Sequence, residues 1–405
     1  MKKLAAALIM LAIVLAGGWF VLRQVAQNRL QDGIAQFRSG LGPDGEFTYA
    51  TATAAPWRLG ADFTDARLRR RGMLTTAAHL ALSRVGEHHV GRAMLSDVHF
   101  DGSGVGATAA TVEATDLSRD AGTAASPVDG APRLGEAWTG RLWAYEIELH
   151  ASAKPADSLR VANLALSQKP DGQGSFTQQA DFDGVRSSSA GAATGSADHI
   201  AERGRWSRSG RVLVDTDVTG LAFPADSPLG QQLGPFGYHG AHGLAHAGLR
   251  YDRQAGTAAL EPSVRFEGIG VLALSLGLDH LPDLMQQAGM QQAGMQQAQA
   301  MTQASLTGLT LTYDDAGLAA RVLATMAQRS NVTPAQFQSA LSANLAGSLP
   351  NENGQQAIRF LNDPRHFVIA LRPPAPLSMA DIAGLQSRAA QEDIIRTLGF
   401  SFKAD

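Results

Sequence analysis

Three histidines close together in the sequence, His239, His242 and His246, are the residues best suited to metal chemistry. Imidazole nitrogens are common zinc ligands, and on a helix these side chains would share one face. Interleaved glycines disfavour a helix, however, and on a loop followed by a strand only His242 and His246 share a face. An envelope hydrolase or metal-dependent enzyme is therefore the alternative function, and it requires these histidines to converge with a carboxylate.

Other signatures of chemistry are weak. The adjacent pair His88 and His89 would lie on opposite sides of a strand, and the glycine-rich stretch Gly102 to Gly106 lacks dinucleotide-binding spacing and is typical of a hairpin turn. The sequence contains no phosphate-binding loop, nucleophile elbow, zinc-protease or EF-hand motif, and it has no cysteine for a thiol nucleophile or thiolate site. We therefore assign no catalytic, cofactor-binding or metal-binding residue and consider an enzyme the less favoured class.

A weak internal repeat places Asp65, Asp97 and Asp116 inside otherwise alternating segments. These aspartates either form a row of ligands on one face or are solvated strand residues that discourage edge-to-edge aggregation, and the second interpretation is favoured. Alternation over residues 61–68 places Phe63 and Asp65 on one side of a strand, and Thr64 and Ala66 on the other.

Methionines recur every five residues at Met285, Met290 and Met295, within a Met/Gln-rich segment, residues 281–304. Thioether sulfurs bind copper, but a five-residue period does not remain on one face of a helix. The segment is predicted to be a helical insertion without a metal site.

The elements that would position these residues are mostly strands. Period-two alternation and glycine-rich turns recur between residues 47 and 280, and the stretch from Ala121 to Gly135 is predicted to be an exposed loop. The predicted strands cover residues 61–68, 74–82, 90–100, 108–117, 142–149, 159–167, 175–182, 211–219, 243–251, 258–266 and 269–276. The fold class is therefore α+β, predominantly antiparallel β, with an elongated curved sheet or groove, or two stacked sheets, followed by a helical C-terminal region.

The N-terminal stretch from Leu4 to Leu22 contains nineteen consecutive uncharged residues, enough to span a bilayer. A cleaved signal peptide is the competing interpretation, but its apolar core is usually shorter, and cleavage after the small residues here would leave four bulky apolar residues at the new terminus. An uncleaved single-pass anchor in the inner membrane is favoured, with the bulk of the chain in the periplasm.

The remaining organisation follows from composition and patterning. Residues 1–23 form the anchor, 24–46 a stalk helix and linker, 47–280 the β-rich domain, 281–304 the insertion and 305–405 an α+β region. A net charge of −3, from 34 basic and 37 acidic residues, offers no general attraction for nucleic acid. The C-terminal region is predicted to contain a strand at 306–313, helices at 318–328 and 355–361 and after the Thr333 cap, and a strand at 367–371.

Three C-terminal runs carry a resemblance to a known family: LTLTYDDAGL at 309–318, AIRFLNDP at 357–364 and IALRPPAPL at 369–377. They resemble an uncharacterised family of bacterial envelope proteins, the domain of unknown function numbered 2125, which is similar in design to AsmA-like and YdgA-like proteins. The resemblance implies a single-pass inner-membrane anchor and a β-rich periplasmic domain, and it implies no catalytic residues. The Met/Gln repeat departs from the family pattern.

These observations favour a non-enzymatic envelope protein whose sheet binds a lipid or a protein partner. The helical stripes after residue 318 are too few to cover a sheet of about a dozen strands, which at roughly 4.8 Å spacing would be more than 50 Å across if open. We therefore expect part of an apolar sheet face to remain available as a groove for acyl chains. The distinguishing feature is a continuous apolar face along the sheet.

Overall fold

The structure is a computed structural model that describes most of the chain after residue 23. The described residues are 24–70, 72–86, 89–102, 104–118, 139–151, 154–170, 175–207, 209–281, 304–348, 352–378, 380–382 and 391–404. Antiparallel strands dominate, and helices are concentrated after residue 317. The predicted fold class, mainly antiparallel β with a helical C-terminal region, is confirmed in these respects.

The chain divides into two compact units between Gln168 and Lys169. This boundary lies inside the predicted β-rich segment 47–280, and residues 169–280 belong to the same unit as the C-terminal region. Of the predicted insertion, only Leu281 and Ala304 are described, and the predicted loop from Ala121 to Gly135 lies outside the described residues.

The first unit begins with a helix, α1, at residues 24–40, which agrees with the helix predicted there. Its strands are β1 Gly45–Thr48, β2 Thr51–Ala55, β3 Gly60–Arg70, β4 Met73–Val85, β5 His89–Gly102, β6 Val105–Ser118, β7 Thr139–Ala151 and β8 Lys154–Pro170. Strands β3 to β8 pair consecutively, while β1 and β2 both pair with β3. The predicted meander is present.

Helix α1 packs on the first strands rather than standing free of the sheet. Ile34 is buried with Phe47, Ala61, Phe63 and Ala66. The Phe47 and Phe63 rings meet edge to face, with centroids 5.7 Å apart. The segment predicted to be a stalk therefore contributes to the core of the first unit.

The second unit contains the remaining strands. They are β9 Phe176–Ser189, β10 Ala192–Trp206, β11 Arg211–Pro224, β12 Gly240–Asp252, β13 Thr257–Phe266, β14 Gly270–Asp279, β15 Ser305–Asp315, β16 His366–Leu371, β17 Leu377–Ser378 and β18 Phe400–Ala404. Strands β9 to β16 pair in sequence, β18 pairs with β16, and β17 pairs with the start of β15.

The helices of the second unit connect or cover these strands. They are α2 Pro228–Leu233, α3 Leu318–Arg329, α4 Pro334–Ser348, α5 Glu352–Asn362 and α6 Gln391–Leu398. Thr333 caps α4 as predicted, because its hydroxyl accepts from the Gln336 backbone N–H at 3.3 Å and the Gln336 side chain accepts from the Thr333 backbone N–H at 3.0 Å. Helix α6 is an element that the periodicity did not predict.

In the part of the chain that the structure describes, no helix is both long and apolar enough to cross a bilayer. The predicted anchor at residues 4–22 falls outside the described residues.

Candidate functional site

The histidines that could bind metal are placed along a loop and a strand, not on a helix. His239 precedes β12, whereas His242 and His246 lie within it and are opposite Ala222 and Asp217 of β11. His246 Nδ1 lies 2.9 Å from Asp217 Oδ1, and both side chains are about half exposed. The geometry is therefore that of a cross-strand hydrogen bond at the surface.

The same arrangement recurs elsewhere in the second unit. His199 lies opposite Asp183, with Nδ1 2.7 Å from Oδ1, and its Nε2 lies 3.7 Å from Asp181. His366 is likewise opposite Asp314 at 2.7 Å. Within the described ranges, no group of three or more histidine and carboxylate side chains has the geometry to hold a metal ion. These pairs link adjacent strands, and at such exposure each contributes little to stability.

The repeated aspartates have a backbone role that their spacing alone did not reveal. Asp65, Asp97 and Asp116 have φ values of 48°, 49° and 52°, and Glu146 in β7 has 53°. This left-handed conformation is unusual within strands, and aspartate tolerates it better than most residues. The three aspartates are exposed, as the favoured interpretation expected, but strands β3, β5 and β6 are paired on both sides, so the part of that interpretation that concerns edge protection is wrong.

A left-handed residue reverses the side-chain alternation of its strand. Phe63 is buried before Asp65, and Ala66 is buried after it in the same hydrophobic cluster. The expectation that Phe63 and Ala66 lie on opposite faces is therefore wrong. The reversal keeps both halves of β3 in contact with the core.

Because of these reversals, one face of the first unit is continuously apolar. Residues directly opposite each other on antiparallel strands share a face. Three rows cross strands β3 to β8: Ala61, Leu82, Ala93, Ala114, Leu142 and Leu166; Phe63, Leu80, Leu95, Val112, Ala144 and Leu164; and Leu68, Thr75, Phe100, Ala107, Leu149 and Leu159. Every member except Thr75 is apolar. We call these three rows the apolar face. An apolar face along the sheet is the feature expected of a binding protein rather than an enzyme.

The apolar face is covered unevenly. Helix α1 and the neighbouring aromatic rings bury Ala61 and Phe63 at its β3 edge. Toward β8 the small residues Ala93, Ala114 and Ala144 are buried, whereas larger members such as Val112 and Leu164 keep part of their surface exposed. The surface offers apolar contact without a charged side chain among its rows.

We call the opposite face of the same strands the polar face because it carries charged pairs, although Met94 and Tyr145 are also exposed on it. Arg92 of β5 lies 2.8 Å from Glu113 of β6, and Glu148 of β7 lies 3.2 Å from Arg160 of β8. The neighbours Thr111 and Val112 therefore present a polar and an apolar side chain to opposite faces of β6. This contrast provides matched positions for testing the apolar face.

The second unit has an apolar row of its own. It consists of Phe182, Ile200, Val218, Ala245, Val264, Leu272, Tyr313, Phe367 and Ala404. Helix α5 covers one end, where the Phe360 ring meets Phe367 edge to face at 5.0 Å. Leu272, farther along the row, remains 42% exposed.

The YDD stretch of the family resemblance has a structural role. The Tyr313 hydroxyl oxygen lies 2.7 Å from the Ile269 carbonyl oxygen and 2.8 Å from Asp315 Oδ1, and either acceptor can take its single proton. Asp315 also accepts from the backbone N–H groups of Gly317 and Ala319, and thereby caps α3. Burial, followed by the hydrogen bond to Asp315, raises the pKa of Tyr313. The phenol therefore stays protonated and links β15 to the turn between β13 and β14.

Comparison with known proteins adds little about chemistry. A family model described as "Uncharacterized protein" matches residues 263–405, which include the YDD stretch and the C-terminal helices. The chain is similar to that family over this region, and no curated protein matches it.

Proposed function

We propose that this chain is a membrane-anchored, periplasmic, non-enzymatic protein of the bacterial cell envelope that binds lipid acyl chains along the apolar face of its first unit. The observation that carries the proposal is the apolar surface across β3 to β8, which only Thr75 interrupts within the three rows and on which Val112 and Leu164 are partly exposed. Apart from Phe63, the larger row members are neither fully buried nor fully exposed, and a partly accessible apolar surface that spans six strands is typical of a binding site.

The chemistry of the rows favours acyl chains over a polar ligand. The row members that α1 does not cover are mostly aliphatic, and no charged side chain lies among them. Six strands at roughly 4.8 Å spacing make each row about 24 Å long. One leaflet of a bilayer contributes about half of its roughly 30 Å hydrocarbon thickness, so an acyl chain fits along one row. Each methylene removed from water contributes about 0.8 kcal/mol.

The cellular placement rests on the sequence. The uncharged stretch at residues 4–22 supports a single-pass inner-membrane anchor, and the positively charged N-terminus supports a cytoplasmic start. The resemblance to the envelope family is consistent with both. Such an anchor would hold the apolar face beside a source of lipid.

The alternative, an enzyme that uses His239, His242 and His246, receives no support from the described geometry. His242 and His246 lie along one strand, and the carboxylate recorded beside His246 is Asp217 alone. A hydrolytic or metal-dependent site needs several such groups around one position.

A matched pair of substitutions tests the proposed function. The domain from Gln24 onward is expressed in the periplasm, purified without detergent, and its bound phospholipid is extracted and quantified by mass spectrometry. We expect Val112→Gln, on the apolar face, to reduce the lipid recovered per protein severalfold, because a polar group then lies against the acyl chain.

Thr111→Gln, one residue earlier on the polar face, is the control and should retain bound lipid. Circular dichroism verifies that both variants are folded. Equal lipid recovery from the two variants, or a lipid-free unmodified domain, would refute the proposed function.

A further inference from the structure

One end of the first unit carries a cluster of exposed apolar side chains. Trp57 is 68% exposed, Leu59 is 70% exposed and Val85 is 44% exposed. The backbone N–H of Val85 donates to the Leu59 carbonyl at 2.9 Å, so these two residues are adjacent, and Trp57 lies two residues before Leu59. We call Trp57, Leu59 and Val85 the apolar tip.

The apolar tip lies at the end of the unit from which the chain emerges. The Gln27 side chain of α1 donates to the Ala52 carbonyl at 2.9 Å and accepts from the Ala54 backbone N–H at 2.8 Å. At the other end of α1, the Arg38 side chain donates a hydrogen bond to the Phe47 carbonyl. The helix therefore runs antiparallel to β1 and β2, and its first turn lies beside the end of β2 that leads into the tip.

This geometry limits how far the tip can be from the proposed anchor. Gln27 follows Leu22 by five residues, which even fully extended span less than about 18 Å. Only two residues separate Ala54, which Gln27 contacts, from Trp57. If residues 4–22 cross the bilayer, the tip lies close to the bilayer surface.

The side chains of the tip match that environment. Tryptophan is enriched at membrane interfaces, where its ring is partly apolar and its N–H reaches polar groups. Leu59 and Val85 add aliphatic surface, and Arg84 beside Val85 is largely exposed. A guanidinium there can approach lipid phosphates, although Asp116 lies 3.9 Å away and reduces its net charge.

We infer that the apolar tip inserts into the periplasmic interface of the inner membrane and holds that end of the first unit against the lipid. The inference rests on the anchored topology of the proposed function, and it adds a second membrane contact formed by the folded domain. Lipids would then reach the apolar face from the end of the unit where the tip lies.

The absence of cysteine allows a direct test in the full-length chain. A single Leu59→Cys variant is labelled with an environment-sensitive fluorophore and reconstituted in phosphatidylethanolamine and phosphatidylglycerol vesicles that contain a lipid-borne quencher. Met73→Cys is the matched control, because Met73 is 38% exposed and lies opposite Arg70 at the β3–β4 turn, the other end of the same strands. Both positions are exposed, so the labels should not disturb packing.

We expect a blue-shifted and strongly quenched emission from the Leu59 position and a water-like, weakly quenched emission from the Met73 position. Equal quenching at the two positions would overturn the inference. This result can be separated from the proposed function. Equal lipid recovery from the Val112 and Thr111 variants would refute acyl-chain binding, whereas quenching at Leu59 would still support the membrane contact.

Discussion

At the scale of single residues, the acidic side chains with positive φ decide which surface each strand presents. Asp65 and Asp97 both lie opposite Ala78. Next to Asp65, Thr64 pairs with His79, and next to Asp97, Val98 pairs with Ala77. The reversals are therefore aligned across neighbouring strands, and they change the face of several strands together. In β9 and β11 of the second unit, Gly184 and Gly220 occupy the same left-handed region.

This role predicts a specific pattern of stability. Asp97→Val should lower the free energy of unfolding by about 1–2 kcal/mol, because a β-branched residue is disfavoured at positive φ. Asp97→Gly should change it little, since glycine adopts this conformation freely. Chemical denaturation provides the measurement.

Asp101→Val is the control, because Asp101 is exposed in the same strand and is not among the residues with positive φ. If Asp97→Val and Asp101→Val were equally stable, the backbone role of Asp97 would have no support.

At the scale of elements, helices complete the hydrogen bonding of strands at the margins of each unit. In the first unit, the Gln27 amide pairs with both the N–H of Ala54 and the carbonyl of Ala52, as a neighbouring strand would. In the second, Asn353 and Gln356 of α5 accept from the backbone N–H groups of Phe402 and Ala404. Satisfied edge groups are poor templates for pairing with another chain.

Removal of one such contact should be detectable locally. Gln27→Ala should accelerate hydrogen exchange of the Ala54 amide by about fivefold, the equivalent of roughly 1 kcal/mol for one hydrogen bond. Gln36→Ala, an exposed position on the same helix, should leave that amide unchanged. Unaltered exchange in the Gln27 variant would show that the contact does not protect the edge.

Most strands were predictable because alternation and glycine turns are local signals. Strand β10, Ala192–Trp206, was missed, since its small and charged residues obscure the alternation although β9 and β11 pair with it on both sides. The reversal at Asp65 was also missed, because a period-two pattern assumes that every residue in the strand is extended. Partners such as Gln27 and Ala54 depend on tertiary packing, which periodicity does not encode.

The candidate site was predictable in kind but not in position. The imbalance between many strands and few helices indicated an apolar face that helices do not fully cover. The loop-then-strand interpretation of the histidine segment agrees with the position of His239 before β12 and of His242 and His246 within it. The rows that define the apolar face required the register, since Val112 meets Leu95 and Ala144 only through the pairing of β5, β6 and β7.

At the scale of the whole molecule, the proposed position of the protein beside the membrane depends on the topology of the N-terminus. We expect intact mass analysis of the purified protein to find residues 1–23 retained, because the apolar run from Leu4 to Leu22 is longer than a signal-peptide core. Export-dependent reporters fused after Ser39 and after Asp405 should both be active. A mature mass lacking the first twenty or so residues, or inactivity of both fusions, would contradict the anchored topology.

The most direct test of acyl-chain binding is site-specific photocrosslinking of the full-length protein in its membrane. Ile147 of β7 lies two residues before Leu149, a member of the apolar face, and opposite Val161, whereas the neighbouring Glu148 lies opposite Arg160 on the polar face. A photoreactive residue at position 147 should yield a phospholipid adduct detectable by mass spectrometry, whereas the same residue at position 148 should not. The absence of a lipid adduct at position 147, or equal adducts at both positions, would contradict lipid binding along the apolar face.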